Sequence, residues 1–352
     1  MATLKFNASS LFYTDLKERV NKYFVDKKKS QYGGIRAYIK AALLLSSFVI
    51  LYCILVFNTP GNLLAIFLCM LLGLATAAIG FNVMHDGGHG TFSKNKAMNR
   101  IAALTLNFLG GSAYFWNIKH NMVHHTYTNI DGHDDDIEIT PLMRMCKSQR
   151  LRKVHKYQYI YWFVLYGFMY FTWVFYLDMK KYFSRKIGPK EDIKIDFKTH
   201  VGFWFSKALH IFTFIFLPIA LVGFEKFLLG YSIFVFTTGL VISVVFQLAH
   251  TVEHVDFPVA NDEQQLETDW AVHQVLTTSN FATRSRIVSF FTGGLNHQIE
   301  HHLFPRISHV FYPDLSEIVR KACADYGLIY LEQRTVLLAI SSHVKFLRAM
   351  GK

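Results

Sequence analysis

Residues 63–89 read LLAIFLCMLLGLATAAIGFNVMHDGGH. Leu63 to Met84 carry no charged side chain, and roughly 20 apolar residues are what a helix needs to cross a hydrocarbon core. The run ends in His85-Asp86-Gly87-Gly88-His89, where two imidazoles four residues apart would share one helix face. On its N-terminal side, Ala41 to Phe57 is a second apolar run, separated only by the uncharged turn Asn58-Thr59-Pro60-Gly61-Asn62. The two form a hairpin. Further on, His200 to Phe224 and Phe227 to Ala249 form another, joined by Glu225-Lys226. The pattern predicts an all-α integral membrane protein with four transmembrane helices, at about 41–57, 63–84, 200–224 and 227–249.

The remaining segments follow from this frame. Residues 1–40 are polar and basic, which predicts no cleavable signal peptide. Within them Phe12, Leu16, Val20, Tyr23 and Phe24 recur at helical spacing. That is the pattern of an amphipathic helix, lying in the membrane interface or packed on its own domain. Residues 85–199 form an intervening cytosolic and interfacial segment, and 251–352 a polar helical cap. In the cap, Pro313 opens a helix with Leu315, Ile318, Val319 and Ala322 on one face, and Gly327 stands where it would stop.

Composition agrees. Of 352 residues 52% are hydrophobic and 18% charged, against about a quarter charged in soluble domains. Four scattered cysteines without a CxxC speak against a zinc knot or redox pair. The net charge of +12 points in a membrane protein to anionic headgroups or an anionic substrate, not to nucleic acid. Basic residues crowd before the first span (Lys17 to Lys40) and before the third (Lys180 to Lys198), whereas the hairpin turns hold one lysine. The positive-inside rule then places both termini and the central segment in the cytoplasm. For all histidine clusters to share that face, the aromatic stretch Tyr157 to Leu177 must lie in the interface.

Seventeen histidines are present, and eight of them fall into four clusters. These are His85 and His89; His120, His124 and His125; His250 at the end of the last span; and His301 with His302 behind Gln298. The doubled histidines lie about 100° apart around a helix, so each pair can serve two metals. Asp86, Asn121, Glu253 and Glu300 stand beside these positions and are candidates to orient imidazole N–H groups. His254 and His297 read as bystanders and His273 as structural, while His133, His155, His200, His210, His309 and His343 read as surface or interfacial. Asp134-Asp135-Asp136 reads as a solvated turn, and Arg284 and Arg286 as contacts for headgroups or an acidic partner.

HDGGH, HNMVHH and QIEHH, the last followed by LFP, resemble the three histidine boxes of membrane fatty acyl desaturases. The resemblance covers roughly Phe81 to Pro305, and the glutamine opening the third box is similar to the front-end (delta-5/delta-6-like) branch, which acts between an existing double bond and the carboxyl end. It implies an oxygen-dependent enzyme with two Fe ions ligated by His85, His89, His120, His124, His125, His250, Gln298, His301 and His302, with no other catalytic residue and O2 as co-substrate. It also implies a long-chain acyl substrate, as acyl-CoA or lipid-linked, in a bacterial inner membrane or a eukaryotic endoplasmic reticulum. Box two has three residues between His120 and His124 where many front-end enzymes have two. No HPGG haem motif of a fused cytochrome b5 occurs, so electrons are expected from a separate ferredoxin or cytochrome b5, as in bacterial-type enzymes.

Three rival readings use the same residues. A lipid hydroxylase would hold the same metals and leave oxygen in its product. A membrane zinc hydrolase would use His250-Thr251-Val252-Glu253-His254, which matches H-x-x-E-H. A non-catalytic receptor would use the histidines only for packing. Glu-x-x-His pairs of soluble diiron bundles, a GxGxxG and a P-loop are all missing.

Overall fold

The computed structural model describes residues 4–261 and 263–352. Helix α1 spans Leu11–Asp26. Four long apolar helices follow: α2 (Gly34–Asn58), α3 (Asn62–His89), α8 (Phe197–Val222) and α9 (Phe224–His250). Between the pairs lie α4 (Lys96–Phe108), α5 (residues 113–127), α6 (Lys153–Gly167) and α7 (Met169–Ser184). The cap contains α10 (Trp270–Leu276), α11 (Arg286–Phe291), α12 (Gln298–Leu303), α13 (Tyr312–Asp325) and α14 (Val336–Met350). Among the described residues the only sheet is a two-residue parallel pair, β1 (Asn280–Phe281) with β2 (Glu332–Gln333). The molecule is an all-α membrane protein.

Helix α9 packs along α3, and α2 flanks α3. The small residue Gly73 permits the first contact, because a Cβ there would sit 2.8 Å from Thr237 and 2.9 Å from the Phe234 carbonyl. The outward faces carry Leu43, Val49, Ile50, Phe67, Phe205, Phe212, Phe216, Leu228 and Leu229, all exposed. An apolar belt of that extent is stable only against lipid.

The spans differ from expectation at their ends. Both α3 and α9 run on without a break to His89 and His250, so metal-binding candidates sit on the last turns of rigid helices. The second hairpin turns at Gly223 (φ +84°), and Glu225 and Lys226 belong to α9. Gly223 adopts a backbone that residues with a Cβ disfavour, and this places the break. Residues 157–177 form parts of α6 and α7, which meet at 58°. Asp178 at the start of the following turn pairs with Lys207 of α8 at 3.4 Å, and Lys207 also donates to the Gly110 and Val174 carbonyls. A charge inside a helix bundle needs such partners.

Helix α1 settles on the cap. Phe12, Leu16, Val20 and Phe24 are buried against Leu303, Phe311, Leu315 and Val319, with Tyr23 packed at the edge. Of the two readings of this helix, packing on its own domain is the one these contacts support. Each fully buried side chain of this size contributes about 1.5–3 kcal/mol, and the complementary face of α13 is the nearer apolar partner. α13 itself runs as expected, with Pro313 in its first turn and Gly327 (φ +67°) just beyond its end.

Candidate metal centre

Eight histidines and one glutamine converge where the ends of α3 and α9 meet α5 and α12. The first box lies on the last turn of α3, directly after a π-helical turn at Gly80–Met84. The second lies in α5, whose segment Asn117–His124 is π-helical. Such wide turns are rare and concentrate at functional sites. Here the wide turn sends His120 towards His85 and His89 while His124 faces His250 and His302. The paired glycines of HDGGH let these helices close. A Cβ on Gly87 would lie 2.5 Å from the Ala103 nitrogen of α4, and one on Gly88 would lie 2.2 Å from the Trp116 ring.

The histidine donors fall into three overlapping sets. Nitrogens of His85, His89, His120 and His301 lie within 4.8 Å of one another, as do those of His124, His250 and His302, and of His125, His301 and His302. The His120 Nε2 atom is 3.1 Å from His85 Nε2 and 3.2 Å from His125 Nε2. The Gln298 amide is 2.9 Å from His250 Nε2 and 3.2 Å from His302 Nε2. Its oxygen and nitrogen exchange places by a half-turn, so either can face the second set. His301 alone borders the first and third sets together.

Whether these residues fit metal ions is answered by what they leave unpaired. His89 Nε2, His124 Nε2, His301 Nε2, His125 Nδ1 and Gln298 Oε1 are buried and meet no partner among the described residues. Buried polar atoms are almost always paired, and five orphans around one point call for a cation. Burial drives His120, His125, His301 and His302 far below the usual imidazole range, which keeps them neutral, the ligating form. His124 is the exception: burial opposes its charge, but Asp134 and Asp136 outweigh burial and raise it. The set fits two transition-metal ions, since imidazole suits iron, zinc and copper.

The side chains that orient the ligands are not the expected ones. Asp86 turns away to Ser308 Oγ at 2.7 Å and His309 Nδ1 at 2.9 Å. Asn121 donates to the Gly88 carbonyl, Glu253 faces Lys345 at 3.5 Å near solvent, and Glu300 accepts from Asn280 and Tyr330. None of the four hydrogen-bonds to a candidate ligand. Asp86 and Glu300 instead fasten elements: Asp86 ties α3 to the cap, and Glu300, pushed up to about 7 by burial, ties α12 to β1. Orientation comes from elsewhere. Asp134 accepts from His124 Nδ1 at 3.0 Å with Asp136 at 3.2 Å, Gln274 Oε1 accepts from His302 Nδ1 at 2.7 Å, and Tyr312 Oη accepts from His301 Nδ1 at 3.1 Å. The Thr277 carbonyl lies 3.3 Å from His250 Nδ1. Each such contact fixes the tautomer that leaves Nε2 free.

The triple aspartate is therefore no solvated turn: Asp134 is 2% exposed. Four histidines read as surface residues are buried as well. His309 bridges Asp86 and Lys40, His343 meets Tyr166 and Thr251, His155 the Pro141 carbonyl, and His210 stacks on Phe214. His254 is exposed and, like Glu253, joins no donor set, so the H-x-x-E-H pattern does not assemble. His273 and His297 are buried outside the sets.

A small cavity of about 30 Å³ lies beside His85 between the spans. Its walls include Thr76, Gly80, Leu106, Leu109, Trp116, Tyr170, Ile242 and Phe246. From His85 to Thr76 on α3 is roughly 13 Å.

Residues 60–334 match the family model of fatty acid desaturases. The chain is 35% identical over 360 residues to an sn-1 linoleoyl-lipid 6-desaturase of Synechocystis sp., covering 99% of this chain and 98% of that one. A protein of the same description from Arthrospira platensis is also 35% identical, covering 98% and 94%. An acyl-lipid (8-3)-desaturase of Physcomitrium patens is 32% identical, covering 97% of this chain and 72% of its own.

Proposed function

Because the chain belongs to the fatty acid desaturase family, we propose that it is a front-end acyl-lipid desaturase. In this reading it removes two hydrogens from adjacent methylenes on the carboxyl side of an existing double bond, leaving a cis double bond. Two iron ions would be held, one by His85, His89, His120 and His301, the other by His124, His250, His302 and Gln298, with His125 between them. The observation that carries the reading is the convergence of nine donors from four separate segments, five of which keep a buried polar atom without a partner among the described residues. When bound, the irons supply the dioxygen chemistry that an unactivated C–H bond requires and acid–base groups cannot provide.

The balance is one dioxygen, two substrate hydrogens, two donor electrons and two protons, giving the alkene and two waters. The chain's own residues position and enclose. Asp134, Gln274 and Tyr312 hold imidazoles in register, and Trp116, stacked 4.6 Å from His120, walls the site against the apolar cavity. The cavity takes the methyl end of the acyl chain. The basic residues preceding α2 and α8 support a cytoplasmic site, with α6 and α7 in the interface so that the crossings stay even. A separate ferredoxin or cytochrome b5 would deliver the electrons.

The decisive experiment feeds a panel of acyl chains to cells expressing the protein with such a donor. Products about 2 Da lighter support desaturation, and products about 16 Da heavier would mean a hydroxylase. A side chain at Gly80 would project into the cavity, since a Cβ there meets nothing within 4 Å. Gly80→Leu is expected to cut turnover of long chains by about tenfold or more and shift preference to shorter ones. Iron content should stay unchanged. Unaltered chain-length preference would show that the acyl tail lies elsewhere.

A further inference from the structure

One corner of the cap turns apolar side chains outward. Helix α11 reads Arg286-Ile287-Val288-Ser289-Phe290-Phe291, yet none of its residues is buried. Ile287 is 72% exposed, Phe291 52% and Phe290 37%. The first turn of α14 adds Leu337, 78% exposed, and Leu338. Strands β1 and β2 end just ahead of α11 and α14, at Phe281 and Gln333, and their pairing holds the two elements side by side. An apolar patch of that kind needs a cover. The charge around it has one sign. Arg284, Arg286 and Arg334 are exposed and, among the described residues, make no ion pair. Neither 282–299 nor 333–352 contains an acidic residue.

The level of the patch along the spans identifies the cover. Asn82 of α3 donates its side-chain amide to the Phe291 carbonyl at 3.2 Å, and the Lys40 ammonium of α2 lies 4.7 Å from the Phe290 ring centroid. A Cβ on Gly293 would sit 2.3 Å from the Phe81 carbonyl oxygen. Asn82 comes seven residues before the end of α3 at His89, and Lys40 six residues after the start of α2 at Gly34. Helix α11 therefore hangs roughly 10 Å back along both spans from their metal-side ends. Beside Lys40, α2 exposes Ile39 and Leu43 as part of the lipid-facing belt. On the inner side Val288, Val336 and Ile340 pack on the same core as Ala41 and Phe81 of the spans.

We propose that α11 and the first turn of α14 are seated in the bilayer itself, in the leaflet on the metal-centre side. The three arginines meet lipid phosphates, and the exposed apolar side chains lie among the upper acyl segments. The backbone fits this placement. Carbonyls at a helix end can be left to water, but in lipid they need partners. Val288, Ser289 and Phe291, three of the last four in α11, have them in Thr292, the Gly294 nitrogen and Asn82. A protein partner would have to enter the hydrocarbon border to cover the same face, where lipid already stands. Gln298 opens box three seven residues after Phe291. The segment that completes the donor sets would thus be moored to the bilayer and not carried on a cap surrounded by water.

The test uses the intact protein in nanodiscs of phosphatidylcholine and phosphatidylglycerol, with the exposed Cys53 replaced by serine. A nitroxide is attached in turn to Ile287→Cys, Leu337→Cys and, as the water-exposed comparison on α13, Lys321→Cys. Collisions with oxygen, which concentrates in lipid, are compared with collisions with a water-borne nickel chelate. The oxygen-to-nickel ratio at Ile287 and Leu337 should exceed that at Lys321 by about tenfold, as for side chains about 5–10 Å deep. Arg284→Glu combined with Arg286→Glu sets carboxylates against phosphates and should lower the Ile287 ratio about threefold. Ratios at Ile287 and Leu337 equal to that at Lys321 would put this corner in water and overturn the proposal. Rare collisions with both reagents would overturn it too, by revealing a second copy or another protein over the patch. A ratio untouched by the paired arginine change would overturn the phosphate contacts.

Discussion

His301→Ala should yield a protein that still inserts and folds but turns over at least about 100-fold more slowly, with bound iron falling below two per chain. His301 is singled out among the ligands by its position. Its nitrogen lies in the set with His85, His89 and His120 and in the set with His125 and His302, and its ring centroid is within 5.0 Å of His85, His89 and His125. Removing it takes a ligand from the first proposed ion and the neighbour of His125, which stands between the two, whereas removing His250 would touch only the second. Tyr312 would also lose its partner, but its oxygen is a single neutral atom, so the cost to the fold is small beside the loss of metal. Iron counted by elemental analysis on folded, detergent-solubilised protein is the check. Full iron retention with full activity would remove His301 from the centre.

Asp134 carries the second large effect. Its carboxylate accepts from His124 Nδ1 and also from the backbone nitrogens of Asn129 and Asp136, so it orders the loop after box two while fixing one imidazole. Asp134→Ala should lower activity by about 10–100-fold and weaken iron binding comparably. Asp134→Asn keeps one acceptor oxygen, sets a donating NH2 against the remaining N–H group and drops the charge, and its loss should still be smaller than that of Asp134→Ala. The ratio of the two variants' iron affinities separates a positioning role from simple loop support. Equal losses in both would mean that the charge beside His124, and not the hydrogen bond, is what matters.

The sequence exposed the parts of this molecule that are local. Twenty-odd apolar residues announce a span wherever they occur, and histidines at helical spacing announce a shared face, so four clusters and two hairpins could be read directly. What surrounds the ligands could not. Asp134 lies ten residues beyond His124 in a loop, Gln274 lies 28 residues before His302, and both reach their imidazoles only through tertiary folding. Adjacent carboxylates were the natural candidates, yet Asp86 points away because neighbours on a helix diverge in direction, and Glu253 lies beyond the end of α9, facing Lys345. Helix α1 shows the same limit: periodicity reveals an apolar face but not whether lipid or protein covers it. One local signal was available in the glycine pair of HDGGH, where close approach of two helices leaves no room for a Cβ.

Box three lies in the cap, and its helix α12 reaches the spans only after α9 has been laid down in chain order. The donors therefore arrive at their meeting place in sequence: those of α3 first, then α5, then His250, and last Gln298, His301 and His302. Until that final segment docks, neither of the two proposed ion sites is complete. A nascent chain would expose half-built pockets able to trap whichever divalent ion is most abundant or most tightly bound. Correct metallation is then a question of timing: the cap must close over the membrane end within the lifetime of any weakly held intruder. Asp86, reaching from the end of α3 to Ser308 and His309, is well placed to latch that closure.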